Sequence, residues 1–290
     1  MRSLAEQILP MAVRVNIMDT IKPNLLKRAS GKGVCSVKMR DERRNFYLLM
    51  VAQLWDMGFR VPRLESISNK HVSALLTLWA EQGIGAGTLQ TRFSMMRVLL
   101  CDWLGKRNLM QPLNDYLPKE ITKRCMVAKR SKAWNEQGVD PESIIHYARE
   151  VDERLAVMLA MQHVFGLRVK ESIEMRPARS LVENGNAIKL YEGTKGGRLR
   201  RVEIKTSQQR QVFDWARSVA SQNKTGRLRW PDCTWKQAQN RFYNLTRRRL
   251  GVSQQGLGIT AHGLRHGFAQ WNYADQTGLP TPVQGGAPEV

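Results

Sequence analysis

The chain is short of cysteine, of acidic side chains and of long apolar runs. Its 290 residues include four cysteines, Cys35, Cys101, Cys125 and Cys233. They are scattered, form no Cys-x-x-Cys pair and have no histidine at ligand spacing, which argues against a zinc site and against a disulfide framework. Free thiols in a reducing cytoplasm are the simplest account. No apolar run is long enough to span a bilayer. Residues Met1 to Pro10 lack the apolar core and cleavage site of a signal peptide. Lys32 is flanked by single glycines, so no Walker-type phosphate loop is present. No carboxylate cluster offers the oxygen ligands that Mg²⁺ needs, and neither metal nor cofactor is expected.

The abundant feature is positive charge. Forty-six Lys and Arg face twenty-five Asp and Glu, a net charge of +21. A single-sign field of that size implies a polyanionic partner, nucleic acid ahead of an anionic membrane. The length allows two ordinary domains with real cores.

Residues 1–39 read as a basic, loosely structured arm, from the charge of the segment Lys27 to Lys38 and from Gly31-Lys32-Gly33. Three helices follow: about Asp41 to Met57, stopped by Gly58; one capped by Ser68 and ending at Gln82-Gly83; and one from about Thr88 to Trp103, closed by Gly105. Their Met and aromatic stripes are core positions. The product is a helical domain over 40–118, with Arg92, Arg97, Lys106 and Arg107 on its polar surface. The stretch 119–138 is basic and weakly periodic, and is the expected interdomain linker. Its Lys123, Arg124, Lys129, Arg130 and Lys132 suit a clamp around a duplex, or an ordinary solvated linker.

The second domain, 139–290, opens with the helix start Asp140-Pro141-Glu142. The strongly apolar helix Leu155 to Phe165 runs into Gly166-Leu167-Arg168-Val169-Lys170-Glu171, so Arg168 sits on a turn with Glu171 one helical turn beyond, either as a structural pair or as a guanidinium held in place. Ala187–Tyr191 and Arg200–Ile204 read as a β-hairpin whose glycine-rich tip exposes Lys195. Helices resume at about Gln208 to Ser221 and Trp235 to Leu250, the latter ending in the cluster Arg247, Arg248 and Arg249. Last comes Thr260-Ala261-His262-Gly263-Leu264-Arg265-His266-Gly267-Phe268. With Thr260 as the expected N-cap, His262 and Arg265 share a helix face beside an anion-favouring terminus. Two arginines, a histidine and a lysine suit electrostatic stabilisation of a phosphoryl transition state.

Three motifs then occur in a telling order. Gly166 to Glu171, Thr194-Lys195-Gly196-Gly197-Arg198-Leu199-Arg200-Arg201-Val202, and His262 to Ala269 have the order and spacing of the tyrosine recombinases, the phage-integrase family, which the chain resembles from about residue 40 onward. The resemblance implies a mainly α fold with a small antiparallel β-sheet: a helical core-DNA-binding domain, then an α+β catalytic domain. It implies that Arg168 and Arg265 clamp the non-bridging oxygens of the scissile phosphate, that Lys195 protonates the leaving 5′-oxygen, that His262 donates a hydrogen bond, and that Glu171 orients its basic neighbours. It implies a 3′-phosphotyrosyl intermediate formed without metal or ATP, double-stranded DNA with core recombination sites as partner, a four-protomer synapse, no membrane, and a bacterial or phage-encoded protein at the nucleoid.

One departure stands out. The family places a second His or Trp and then a nucleophilic tyrosine well beyond the His-x-x-Arg. Among the residues that follow Arg265 here, the one tyrosine is Tyr273, eight positions on. Along a helix that is about 12 Å of rise, too far for attack at a phosphate held by Arg265. The expectation is a chain that stops before its nucleophile, binds DNA and holds most of the active site. The rivals are a non-catalytic architectural DNA-binding protein on the same fold, an RNA-binding protein, and a type IB topoisomerase.

Overall fold

The computed structural model describes residues 3–28, 33–125 and 128–286, with Lys195 described by its backbone. Gly31 and Lys32 of the expected arm lie outside the described residues. The chain divides into two units, 1–126 and 127–290. It is mainly helical with one small antiparallel sheet, as the resemblance implies.

The arm is the first correction. Helices α1 (Leu4–Ile8) and α2 (Met11–Ile21) stand where a loose segment is expected. Ser3 and Glu6 form a reciprocal capping box on α1, and the buried stripe Val13, Ile17 and Ile21 follows helical spacing. Both helices belong to the core of the first unit. The long helix α3 (Val37–Asp56) is its spine, capped by the Ser36 hydroxyl, which accepts from the Met39 amide. Tyr47 is fully buried on α3 and its hydroxyl donates to the Met95 carbonyl at 3.1 Å. Burial pushes the Tyr47 phenol far above its ordinary pKa. Helix α4 (Asn69–Glu81) presents Trp79, whose indole donates to Gln53 at 3.0 Å. Helix α5 (Ala86–Arg97) runs on into a π segment, Val98–Trp103, where regular helix is expected.

The linker is shortened at both ends. Short helices α6 (Leu113–Tyr116) and α7 (Lys119–Thr122) belong to the first unit. Thr122 is buried there, and its carbonyl accepts from Gln90 at 2.8 Å. At the other end, Ala133 and Trp134 are buried in the second unit. The Trp134 indole donates to the Thr260 carbonyl at 2.7 Å, and Gln270 donates to the Ser131 hydroxyl at 2.8 Å.

In the second unit, Asp140 caps helix α8 (Pro141–Val151) and Asp152 caps α9 (Glu153–Phe165). Every residue from Leu155 to Gln162 is buried, so α9 is the central helix. Short helices α10 (Val169–Glu174) and α11 (Pro177–Ser180) lead into the sheet β1–β2–β3. Strand β1 (Leu181–Val182) pairs with β2 (Ala187–Leu190), and β2 pairs with β3 (Arg200–Glu203) in the register Ala187↔Glu203 and Leu190↔Arg200. Helices α12 (Ser207–Ser221) and α13 (Trp235–Arg248) begin with the capping boxes Thr206/Gln209 and Thr234/Gln237. Helix α14 (His262–Thr277) closes the unit. Thr260 is not its N-cap: that position is Ala261, and the Thr260 carbonyl instead takes the Gly263 amide and the Trp134 indole.

Candidate active site

The site forms where α9 ends. Gly166 terminates α9 in the left-handed region at φ +59°, which a residue without a side chain adopts at low cost. A Cβ there would also lie 2.3 Å from the Phe268 ring. The turn points the Gly166 carbonyl at two guanidinium groups. Arg265 on α14 donates to it through Nη1, and Arg200 on β3 donates through Nη2 at 3.2 Å.

Arg168 precedes α10, and Glu171 sits on its first turn. One Glu171 oxygen takes the Arg168 Nη1 at 2.6 Å; the other takes the Arg168 amide at 2.7 Å and the Arg200 Nη2 at 3.0 Å. The Glu171 side chain is fully buried, while those of Arg168 and Arg200 are 37% and 23% exposed. Two guanidiniums thus share one carboxylate, and a third, Arg265, is held on the Gly166 carbonyl that Arg200 also bonds, leaving excess positive charge in a partly desolvated place. Burial pushes the Arg200 guanidinium down to about 10, against the pull of Glu171, with Arg265 and Arg168 adding to the effect. Burial and the Arg168 charge lower Arg265 in the same direction. Cations held together at this cost suit an anion that would neutralise them.

His262 opens α14, one helical turn before Arg265. Its ring meets that of His266 edge-on, with centroids 5.0 Å apart. The residue is exposed, yet its neighbours take some water from the imidazole. That loss of water, followed by His266, Arg265, Arg168 and Lys132, lowers its pKa. His262 and Arg168 line one open cleft of about 940 Å³ with Tyr243 and Arg247. Lys195 lies in the turn Lys195–Gly197 between β2 and β3. The base of that turn is fixed by Gly193 at φ +74°, where a Cβ would come 2.6 Å from the Lys170 carbonyl.

Lowered imidazole pKa values at His262, His266 and His163 carry a consequence for stability. Burial is the leading cause in each case. The unfolded chain takes up these protons near the ordinary pKa of about 6.5, before the folded chain does. Stability is therefore fully present above that pH and declines as pH falls through the window below it. Thermal unfolding followed between about pH 7.5 and 5.5 should show a falling midpoint, and His163→Gln should flatten that slope.

The residues expected to touch DNA differ in setting. Arg97, Lys123, Arg124, Lys129, Arg130, Lys132, Arg247 and Arg248 are exposed. Arg92 is not a free surface cation: it is half-buried, with its guanidinium 5.0 Å above the Trp79 ring. Arg247 stacks on Tyr243 at 5.2 Å. Tyr273 is half-buried within the unbroken helix α14, two turns beyond Arg265. Arg200 is the one member of the cluster absent from the expected site. Strand alternation is the signal that finds it, since Arg200 and Val202 share the more buried face while Arg201 and Glu203 face out. Among the described residues, no group of three or more His, Cys, Asp or Glu side chains is placed to hold a metal ion.

A family model described as integrase matches residues 127–271, half of the chain, and one described as phage integrase, N-terminal, matches 18–110. The chain belongs to the phage integrase family of tyrosine recombinases. Solved structures share its fold. A lambda integrase(75–356) dimer bound to a COC′ core site aligns at TM-score 0.60 and 17% identity, over 90% of this chain and 86% of that one. A lambda integrase tetramer bound to a Holliday junction aligns at 0.58 and 17%, over 92% and 74%. The Tn1549 transposon integrase (residues 82–397) in complex with circular intermediate DNA aligns at 0.55 and 13%, over 95% and 91%. No curated protein sequence matches this integrase chain significantly. No described helix is long and apolar enough to cross a membrane.

Proposed function

We propose that this integrase acts in site-specific DNA recombination, gripping the phosphate to be cleaved between Arg168 and Arg265. The observation that carries the reading is the joint anchoring of the two guanidiniums, Arg265 on the Gly166 carbonyl and Arg168 on the buried Glu171. Each is held from behind, and its remaining N–H groups match the non-bridging oxygens of one phosphodiester. The charge that stabilises the phosphorane comes from side chains already in place. His262, neutral at physiological pH, donates a hydrogen bond to the same phosphate. Lys195 supplies the proton to the departing 5′-oxygen, which otherwise leaves as a poor alkoxide. Arg97, Lys123, Arg124, Lys129, Arg130, Lys132, Arg247 and Arg248 neutralise flanking phosphates.

In this scheme a tyrosine attacks, and the 3′-phosphotyrosyl link conserves the bond for rejoining. Tyr273 is assigned a structural role, because the helix carries it about 12 Å along the axis from Arg265. The residues described here bind DNA and hold the phosphate without supplying the attacking group. The partner is double-stranded DNA bearing core sites, on which four copies assemble. The fold likeness to an integrase tetramer solved on a Holliday junction supports that assembly. The placement of Tyr273 also favours a second reading, a non-catalytic architectural protein on the recombinase fold.

Selection of bound duplexes from a random pool tests the proposal. Recombination predicts enrichment of inverted repeats. A pool that stays unselected, or a preference for RNA, overturns it. A nicked suicide duplex built on the selected repeat then gives a gel shift without an SDS-resistant adduct. An adduct that Tyr273→Phe abolishes makes Tyr273 the nucleophile and removes the structural assignment.

A further inference from the structure

Arg200 is the group on which both halves of the cluster meet. Its Nη2 donates to Glu171 Oε2 at 3.0 Å and to the Gly166 carbonyl at 3.2 Å. Each acceptor is shared with one of the two clamp arginines, Glu171 with Arg168 and Gly166 with Arg265. Among the described residues, no other side chain bonds to both acceptors. Arg200 also opens β3, three residues past the turn that holds Lys195, and is paired in register with Leu190. Its Nε, like that of five other arginines among the described residues, is buried without a hydrogen-bond partner.

We propose that Arg200 is a positioning residue that sets the two clamp arginines at a fixed separation and ties the Lys195 hairpin to them. The inference rests on the phosphate-clamp reading above. Glu171 has two oxygens for two guanidiniums. With Arg200 on one of them, Arg168 takes the other through a single Nη and keeps its outer N–H groups for a ligand. With Arg200 gone, the whole carboxylate charge falls to Arg168 and draws it inward. The Gly166 carbonyl likewise holds Arg265 against the like charge of Arg200. The repulsion among the three cations then opposes their collapse onto Glu171, and a bound phosphate relieves it.

The test is a titration of the full chain with inorganic phosphate, followed by the Nε–H NMR signals of Arg168 and Arg265, assigned through Arg168→Lys and Arg265→Lys. In the wild type both signals should move along one saturation curve. Arg200→Gln should weaken phosphate binding about tenfold, the scale of one lost charge-assisted hydrogen bond, and should separate the two curves. Arg200→Lys restores the charge and a donor, and should return affinity to within about threefold of wild type. An Arg200→Gln protein that titrates as wild type overturns the proposal. So do equal losses in both variants accompanied by a lowered thermal midpoint, which mark a packing role. If Arg200→Gln does not fold, Arg200→Met, which keeps the volume and removes the charge, takes its place: positioning separates the two curves, and packing leaves both arginines on one. A wild type in which phosphate moves neither signal removes the clamp reading itself. A clamp that saturates normally yet ignores Arg200 removes this inference only.

Discussion

Glu171→Ala should cost the second unit about 3 kcal/mol or more, measured by urea unfolding, the lower part of the range for breaking a buried ion pair. The lower part applies because Arg168 is more than a third exposed, so solvent screens its share. Three interactions end at once. The Arg168 amide loses its cap, and Arg168 and Arg200 lose their shared counter-charge. What remains is a set of like charges around an empty space, which is costlier than the loss of the bonds alone. Glu171→Gln keeps the shape and one acceptor and should cost less. Equal stability of Glu171→Ala and wild type would mean that water takes over the carboxylate's role and that the cluster is looser than described.

The second large effect belongs to Gly193→Ala. The added methyl would stand 2.6 Å from the Lys170 carbonyl and 2.9 Å from the Glu171 Cα, at a backbone φ of +74°. The obstruction is backbone, so no rotamer change relieves it. Left-handed strain of about 1–2 kcal/mol adds to about 1–3 kcal/mol of overpacking. Relief comes only by lifting the hairpin, with Lys195, away from α10. Gly196→Ala is the control. It has a similar φ of +72° with no atom within 4 Å of the new methyl, so it should show the strain cost of about 1–2 kcal/mol alone. Urea unfolding of the two variants separates the steric part from the backbone part. Equal losses would place the hairpin farther from α10 than its glycine contact indicates.

Much of this was legible from local pattern. Asp140, Ser68 and the glycine at 166 mark helix ends by their own chemistry. The Leu155–Phe165 run is buried because nothing in it is charged until His163. The hairpin follows from Ala-Ile-Lys-Leu and Arg-Arg-Val-Glu around a glycine-rich tip. The misses have physical reasons. The stripe Leu9, Val13, Ile17 and Ile21 is present in the sequence, but the charge of the neighbouring segment outweighs it in a reading by composition. Strand β1 has two residues, too few to show a period. Thr260 has the residue type of a cap, yet its carbonyl is recruited by Trp134 from far along the chain. Arg92 looks like surface charge until Trp79 is folded beneath it. Arg200 is the instructive case: its alternation within β3 is local, but its importance comes from Gly166 and Glu171, which only the tertiary fold brings to it.

The most direct test of the account is the salt dependence of binding to the selected duplex in EDTA, for wild type, Arg168→Ala, Arg265→Ala and the double variant. Each phosphate neutralised contributes about 0.9 to the slope of log affinity against log salt. Two arginines that grip one phosphate remove one such contribution between them. If both arginines grip one phosphate, each single variant weakens binding about tenfold or more and the double variant lowers the slope by about 0.9 rather than 1.8. Wild-type binding by both single variants, or a slope lowered by about 1.8 in the double variant, would place the two arginines on separate phosphates or off the DNA, and would contradict the clamp.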